Sequence, residues 1–230
     1  MKKLTICCVV CLFATSAFAA LTGDDAKRLG DAAAVLGELR GAPDSGIPED
    51  LWNRAQCVIV IPSMKKAAFV FGGEVGSGVM SCRGAKGWSA PVFMHLAKGS
   101  FGLQIGAEQV DLVLLVMNRR GADKLLQNKV SLGTDASLAA GPVGRSASAA
   151  TDAQMNAEIL SYSRSQGLFA GIDLSGGALQ PDTDADARAY GSGVTAREIV
   201  DGTRKVVVPA AAQSFVRALR RDLQATSGRR

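Results

Sequence analysis

Residues 57–61, Cys57-Val58-Ile59-Val60-Ile61, decide the fold class. This apolar run is short and rich in β-branched residues, which is typical of a buried strand. Pro62 follows directly and is expected to end the strand, because proline lacks the N–H that a strand ladder needs. A more apolar run at 111–117 is too short to cross a membrane as a helix. Further strand candidates at 67–71, 78–82, 88–96 and 101–107 predict a sheet in the middle of the chain.

Helical periodicity appears at both ends of the chain. Apolar positions recur at helical spacing in 24–40, and Asp24 and Asp25 suit the positive end of that helix dipole. A second amphipathic helix is predicted at 209–224; we favour docking of its Phe215 and Leu219 face on the core over a position in a membrane interface. Strands in the middle and helices at the ends predict an α+β fold: a single domain with a curved or barrel-like antiparallel β-sheet flanked by N- and C-terminal helices.

Composition excludes several classes of protein. The 230 residues are 47% hydrophobic and 20% charged, which suits one folded domain rather than a disordered chain. The net charge of +5 is too small to imply binding to nucleic acid by itself. The single histidine, His95, excludes a zinc site built from several histidines. The sequence lacks the common phosphate-loop, nucleophile-elbow and zinc-protease motifs, and no cofactor is expected.

Residues 1–19 have the pattern of an export signal. Lys2 and Lys3 precede an apolar run, and Ala17-Phe18-Ala19 offers the small residues that signal peptidase requires. We therefore expect a mature domain at 20–230 that is exported, either periplasmic or extracellular, with a peripheral position on a membrane as one alternative. Cys57 and Cys82 remain after cleavage, and they are either a disulfide or two buried thiols.

Three features were considered as catalytic or metal sites. His95 lies in a strand-like run, where a structural role is favoured over a general base. Asp182, Asp184 and Asp186 alternate like the start of a calcium loop, but the closing glutamate is missing, so a solvated acidic turn or helix start is favoured. The glycine-rich stretch 73–78 does not have the spacing of a nucleotide loop and is interpreted as a hairpin turn. We therefore predict neither catalysis nor a metal.

Pairs of basic residues flank the predicted strands. Lys65 and Lys66 are placed in one turn, Arg83 and Lys86 are placed in another, and a further pair directly follows the most apolar strand: Arg119 and Arg120. Loop cations beside apolar residues suit anionic headgroups, since each adds about 1 kcal/mol of attraction near an anionic lipid surface. The alternative is ordinary charge that keeps the protein soluble.

Short motifs in the stretch 33–191 give the chain a family resemblance. They are Gly46-Ile47-Pro48, Val58-Ile59-Val60-Ile61-Pro62 with Lys66, Phe71-Gly72-Gly73, Gly76-Ser77-Gly78, Gly87-Trp88-Ser89-Ala90-Pro91, Gly102-Leu103-Gln104-Ile105-Gly106, Gly141-Pro142-Val143-Gly144-Arg145, Tyr162-Ser163-Arg164-Ser165, Gly167-Leu168-Phe169-Ala170-Gly171 and Tyr190-Gly191. In this order and at these intervals, the stretch resembles the SYLF domain family. That family is a lipid-binding module with no established catalysis, and its eukaryotic members include actin-patch proteins.

The resemblance also implies roles for individual residues. The motif residues read as structural, through tight turns or close backbone approach, are Gly72, Gly73, Gly102, Gly141, Trp88 and Pro91. The motif cations best placed to be functional are Lys66, Arg145 and Arg164. An export signal stands where eukaryotic members have a membrane-binding amphipathic segment, which leaves the mode of insertion open.

These observations predict a non-enzymatic domain that recognises anionic lipids or a membrane surface. The expected lipid-binding residues are Lys65, Lys66, Arg83, Lys86, Arg119, Arg120, Arg145 and Arg164. The alternative is an envelope structural protein that binds a protein partner or peptidoglycan. Actin is expected to be an unlikely partner, because export would keep it away from the chain. A third hypothesis, hydrolase activity, requires a site at His95 or at 182–186.

Overall fold

The computed structural model describes residues 21–40, 46–68, 71–101, 106–127, 129–143, 154, 156–165 and 168–227. The predicted export signal, 1–19, lies outside these residues. The helices are α1 (Gly23–Arg40), α2 (Glu49–Arg54), α3 (Arg119–Leu125), α4 (Thr183–Tyr190), α5 (Ala196–Asp201) and α6 (Ala212–Ser227). The strands are β1 (Cys57–Ala68), β2 (Phe71–Gly84), β3 (Gly87–Trp88), β4 (Val92–Phe101), β5 (Gly106–Val116), β6 (Val130–Ser131), β7 (Leu138–Ala140), β8 (Ile159–Ser165), β9 (Leu168–Gly171) and β10 (Gly177–Pro181).

The strands form one curled sheet in the order β6-β10-β4-β2-β1-β5-β8-β7, with β3 paired to β2 and β9 paired to β8. Neighbouring strands are antiparallel except β7 and β8, which are parallel and make the sheet mixed. Helices α1 and α6 flank the sheet. The predicted α+β single domain with a curved sheet and terminal helices is therefore confirmed, with one parallel pair added.

Both faces of the central sheet are buried. Val58 and Val60 of β1 belong to a core cluster that includes residues of α1, α2, α4 and α6. The alternate residues Ile59 and Ile61 belong to a second cluster, with residues of α3 and α5. A strand that is buried on both faces needs apolar residues at every position, which is why β1 and β5 read as continuous apolar runs.

Strand β1 does not end at Pro62, contrary to the sequence prediction. Its register with β2 and β5 shifts around 61–64, and the strand continues to Ala68. A bulge of this kind tolerates a proline, because the ladder is already interrupted there. Ser63 in the bulge has φ of 50° and donates its backbone N–H to Asp111 Oδ1 at 2.8 Å. Lys65 and Lys66 consequently lie in the second half of β1 and not in a turn.

The glycine-rich stretch 73–78 lies inside β2, so the prediction of a hairpin turn is wrong. Glycine is required here by close packing. A Cβ on Gly78 would lie 2.1 Å from the carbonyl oxygen of Val60, and one on Gly76 would lie 2.5 Å from the Ile61 side chain. Both glycines therefore give the β1 bulge the room that it occupies.

The terminal helix α6 docks on the core, as predicted. Phe215 and Leu219 are fully buried, and the indole N–H of Trp88 donates to the carbonyl oxygen of Leu219 at 3.1 Å. None of the helices in the described ranges is long and apolar enough to span a membrane.

Cys57 and Cys82 are directly opposite each other on β1 and β2, and their sulfur atoms are bonded. The bond ties the start of β1 to the end of β2 at one end of the sheet.

Candidate functional site

One end of the sheet carries a group of exposed cations, which we call the basic end: Arg54, Lys86, Arg119 and Arg120. Three elements bring them together. Gln56 donates its N–H to the Val116 carbonyl oxygen at 2.7 Å, and Cys57 pairs with both Val116 and Cys82. The last residue of α2, the β2–β3 turn and the first turn of α3 are therefore neighbours.

Arg83 fastens the basic end from within. Its Nε donates to the Ala55 carbonyl oxygen at 3.0 Å, and its guanidinium carbon lies 4.3 Å from the centre of a Trp88 ring. A second donor, Nη2, reaches the Trp52 carbonyl oxygen at 3.3 Å. These contacts assign Arg83 to holding α2 and β3 against the sheet, more than to capturing a ligand.

A cavity of about 320 Å³ lies at the basic end, with Arg83 and Arg119 in its lining. It also contains two carboxylates, but both are near Arg197: Asp123 at 2.9 Å and Asp201 at 3.9 Å. That pairing leaves the surrounding cations in excess. Among the described residues, Arg54, Lys86 and Arg119 form no ion pair, so their charge is available to a partner.

Arg120 also remains accessible at this end. It lies 3.7 Å from Glu158, but its side chain is 82% exposed. Burial alone would raise the pKa of Glu158, but hydrogen bonds from Lys124 and from the N–H of Ser137 outweigh burial and lower it. Lys124, at 2.8 Å, is closer to Glu158 than Arg120 is. A charged partner molecule would therefore displace mainly solvent from Arg120.

Three other predicted lipid-binding residues lie away from the basic end: Lys65, Lys66 and Arg164. Lys65 lies in the far half of β1, opposite Val75 of β2. Arg164 is held within the fold by ion pairs to Asp111, at 2.8 Å, and to Glu38. Lys66 is in β1 as well, and Arg145 lies outside the described residues. The structure thus brings together Arg83, Lys86, Arg119 and Arg120 from the predicted set and separates Lys65, Lys66 and Arg164 from them.

The motif residues have different structural positions. Trp88 and Pro91 are both buried, and the Pro91 carbonyl oxygen accepts a hydrogen bond from the Tyr190 hydroxyl at 2.6 Å. Gly141 lies against the ring of Tyr162, where an added Cβ would be 2.0 Å from Cζ. Gly72 and Gly73 are in β2, and a Cβ on Gly73 would have no neighbour nearer than 3.9 Å. The prediction for Gly102 lies outside the described residues.

The acidic stretch 182–186 starts helix α4, but it is not a solvated turn. Asp182 is buried; it caps the helix through Ala185 N at 3.0 Å and pairs with Arg28 of α1 at 2.9 Å. Asp186 is buried beside it and accepts a hydrogen bond from Phe93 N at 2.9 Å. Burial raises the pKa of Asp186 to about 7. The hydrogen bond from Phe93 N opposes this shift, and the negative charge of Asp182 adds to it. The predicted helix start is therefore confirmed, and of the three carboxylates only Asp184 is exposed.

Helix α1 is attached to α4 by a second ion pair, between Arg188 and the buried Asp25. Arg188 donates from Nε to Asp25 at 2.8 Å and from Nη2 at 3.1 Å. These hydrogen bonds, with those from Thr22, outweigh burial and lower the pKa of Asp25 to about 2. Asp25 and Asp182 therefore act as the two charged points at which α1 is fixed to α4.

His95 is hydrogen-bonded through Nδ1 to Ser77 of β2, and its Nε2 lies 2.8 Å from Asp182 Oδ2. The sequence reasoning identified His95 and Asp182 but missed Ser77, Arg28 and Arg54. Their roles depend on strand register and on helix docking, and neither has a local sequence signal. The Gly76-Ser77-Gly78 motif marks the position of Ser77, but its glycines are explained by the close packing of β1 on β2.

Comparison with known proteins adds information on the family. Residues 97–222 match the family model described as "Ysc84: Las17-binding protein actin regulator". "LAS seventeen-binding protein 3" of Saccharomyces cerevisiae is 36% identical over 181 residues, which are 76% of this chain and 39% of that protein. "SH3 domain-containing YSC84-like protein 1" of Rattus norvegicus is 31% identical over 182 residues, 78% of this chain and 53% of the relative. The chain thus spans about two fifths to one half of these relatives.

These comparisons correct one prediction. Actin was expected to be an unlikely partner, but the matched family is described as an actin regulator, and the yeast relative is named for binding LAS seventeen. The earlier expectation rested on the export signal alone, which lies outside the described residues. The same descriptions are those of binding and regulatory proteins rather than of an enzyme family.

Proposed function

The chain belongs to the Ysc84 (SYLF) family, and from that premise we propose that it is a binding module that docks its basic end on an acidic protein surface of the actin machinery. The observation that carries the proposal is the similarity to the yeast LAS seventeen-binding protein 3, whose alignment covers 76% of this chain. The relatives' names describe binding partners, and the basic end is where this chain offers charge to a partner.

Electrostatics favour the basic end as the docking surface. Its four cations are exposed, and the carboxylates in the adjoining cavity are paired with Arg197. Exposed charges of one sign steer a partner of the opposite sign and raise the association rate, and salt screens this attraction over about 10 Å at 0.1 M. Binding should therefore weaken as salt rises.

Co-sedimentation with filamentous actin tests the proposal. We expect the double variant Lys86→Glu/Arg119→Glu to lose roughly 10-fold or more in affinity, because it reverses two charges that have no internal partner in the described residues. The control Lys129→Glu/Lys205→Glu makes the same charge change at exposed sites outside the basic end and should bind like the wild type. Absence of wild-type binding at low salt, or equal loss in both variants, contradicts the proposal.

Anionic lipid headgroups are a second candidate for the same surface. The cations of the basic end favour it, since each contributes about 1 kcal/mol near an anionic membrane. Flotation with phosphatidylserine vesicles and with neutral vesicles separates the two candidates. Binding to anionic vesicles that the Lys86→Glu/Arg119→Glu variant loses supports lipid recognition, and binding to neither vesicle type removes it.

We propose further that residues 1–19 are a cleaved export signal. Their charge and apolar pattern supports this, and the intact mass of the native protein tests it. A mass that starts at Ala20 supports export and makes an external lipid surface the accessible partner. A mass that includes 1–19 contradicts export and leaves the chain where it can meet actin.

A further inference from the structure

Ser77, His95 and Asp182 form a line of close polar contacts that the binding function does not use. Ser77 Oγ lies 2.9 Å from His95 Nδ1, and His95 Nε2 lies 2.8 Å from Asp182 Oδ2. A hydroxyl, an imidazole and a carboxylate in this order are the components of a serine nucleophile with its base and orienting acid. Such a triad is recognised by geometry and not by the order of its members in the chain.

Sheet register places these three side chains together. Ser77 of β2 and His95 of β4 are direct cross-strand partners, so their side chains share one face of the sheet. His95 is also opposite Gln180 of β10, and Asp182 follows β10 as the cap of α4. The line therefore stands on rigid elements, which is where a reactive group is held most firmly.

The negative charge of Asp182 decides which tautomer a neutral His95 adopts. Burial raises the pKa of Asp182, but hydrogen bonds from Arg28 and Ala185 N outweigh burial and lower it, so the carboxylate is ionised and can only accept. A neutral His95 must therefore carry its proton on Nε2. Its Nδ1 is left as an acceptor for the Ser77 hydroxyl, which is the arrangement a general base requires.

An open cleft gives a substrate access to this line. A cavity of about 520 Å³ lies between α1 and strands β1, β2 and β4, and both Ser77 and His95 line it. The His95 side chain is 43% exposed, unlike a histidine sealed in a core. Apolar walls are supplied by Pro62, Val75 and Leu96.

Lys65 is the cation available in this cleft. Its neighbour Lys27 is paired with Asp31 at 2.5 Å, whereas Lys65 forms no ion pair within the described ranges. The register of β1 is interrupted at 61–64, opposite Ser77, and Pro62 and Ser63 of this segment line the cleft together with Lys65. An ammonium in this position suits the negative oxygen that develops when a carbonyl is attacked.

We propose that Ser77 is the nucleophile of an acyl-transfer site that hydrolyses small carboxylic esters with an apolar acyl group. Ser77 Oγ bonds to the ester carbonyl carbon while its proton passes to His95 Nδ1. The tetrahedral intermediate collapses with cleavage of the bond to the alcohol oxygen, which takes the proton from His95. Water then attacks the acyl-serine, giving its proton to His95, and the carboxylic acid leaves as Ser77 is reprotonated.

The competing role is structural, because Asp182 also joins α1 to α4 through Arg28. A structural chain needs hydrogen bonds but no reactive hydroxyl. Reaction of Ser77 with a serine-directed electrophile therefore distinguishes the two roles.

The experiment labels the whole protein with a fluorophosphonate, locates the label by peptide mass mapping, and measures hydrolysis of p-nitrophenyl butyrate. We expect a label on Ser77, and a loss of rate of about 100-fold or more in both Ser77→Ala and His95→Gln. Ser192→Ala, which changes an exposed serine outside the cleft, should keep the wild-type rate. Thermal unfolding of each variant shows that it is folded.

Two results overturn the proposal. One is a wild-type protein that carries no label at Ser77, a readout that does not depend on any variant folding. The other is a folded Ser77→Ala variant that hydrolyses the ester as fast as the wild type. The actin and vesicle assays do not involve this cleft, so failure here leaves the proposed binding function standing, and the reverse also holds.

Discussion

Gly78 shows how one missing side chain shapes the sheet. A Cβ at this position would lie 2.1 Å from the Val60 carbonyl oxygen, which belongs to the backbone and cannot move alone. We predict that Gly78→Ala lowers the free energy of unfolding by about 3 kcal/mol or more, since overpacking forces backbone shifts. Gly99→Ala, where an added Cβ meets nothing within 4 Å, is the matched control. Urea unfolding measures both, and equal stabilities would contradict the packing argument.

Asp186 predicts a specific pH dependence of stability. Its pKa is raised by burial to about 7 in the folded chain from an ordinary value of 3.8, so the folded state binds the extra proton between these values. Stability from this group is complete below pH 4 and is lost as pH rises through 7.

The variant Asp186→Asn isolates this effect. It resembles the protonated carboxyl, and its oxygen can still accept from Phe93 N. Between pH 4 and pH 8 the wild type should lose up to about 4 kcal/mol relative to the variant, at about 1.36 kcal/mol per pKa unit. Urea unfolding at several pH values measures the difference. A difference that is constant with pH would show that Asp186 does not hold its proton.

At the residue scale, sequence reasoning found chemical types but not their partners. His95 and Asp182 were singled out, yet their contact depends on β10 lying beside β4, a pairing that no local pattern indicates. Arg83 is predicted from sequence as a lipid-binding cation in a turn, and its stacking on Trp88 depends on the β2–β3 turn folding back. Such contacts are long-range, so periodicity and composition carry no record of them.

At the scale of elements, α1 is fixed by the pairing of Asp25 with Arg188 of α4. We predict that Arg188→Ala destabilises the fold at pH 7, because it leaves the buried Asp25 carboxylate with fewer donors. Arg217→Ala in α6, where the arginine contacts only its own helix in the described residues, should be near neutral. Hydrogen exchange should rise mainly in 23–40, and an unchanged exchange rate there would contradict the anchoring role.

The same ion pair sets an acid limit. The pKa of Asp25 is lowered to about 2, so its contribution is present above pH 4 and is lost as pH falls toward 2. In Arg188→Ala the folded-state pKa of Asp25 should be higher, so the protein should unfold in acid at a higher pH. Acid unfolding followed by circular dichroism measures the midpoint, and an unshifted midpoint would show that Arg188 does not control Asp25.

Element boundaries were predictable where burial is uniform and unpredictable where the chain is irregular. The helices at both ends and the apolar strand β5 follow from periodicity and from run length. The sequence predicts that Pro62 ends a strand and that the glycines at 73–78 form a turn, although β1 and β2 run through them. The bulge of β1 fits against the glycines of β2. Each sequence feature alone therefore predicts the end of a strand, whereas together they allow both strands to continue.

At the scale of the whole molecule, the two candidate sites occupy different parts of one sheet. The basic end gathers around Cys57 and Cys82, whereas the cleft with Ser77 lies beyond the β1 bulge and beneath α1. This separation lets charge reversal at Lys86 and Arg119 test binding without touching the serine. It also explains why Lys65 and Arg164 lie away from Lys86, Arg119 and Arg120.

Hydrogen exchange of the full chain with and without filamentous actin tests the docking surface most directly. The account predicts that actin slows exchange at 84–87 and at 119–122, the backbone that carries Lys86, Arg119 and Arg120, and that 0.5 M salt removes this protection. Protection confined to other segments, or none at actin concentrations that saturate co-sedimentation, would contradict the assignment of the basic end as the docking surface.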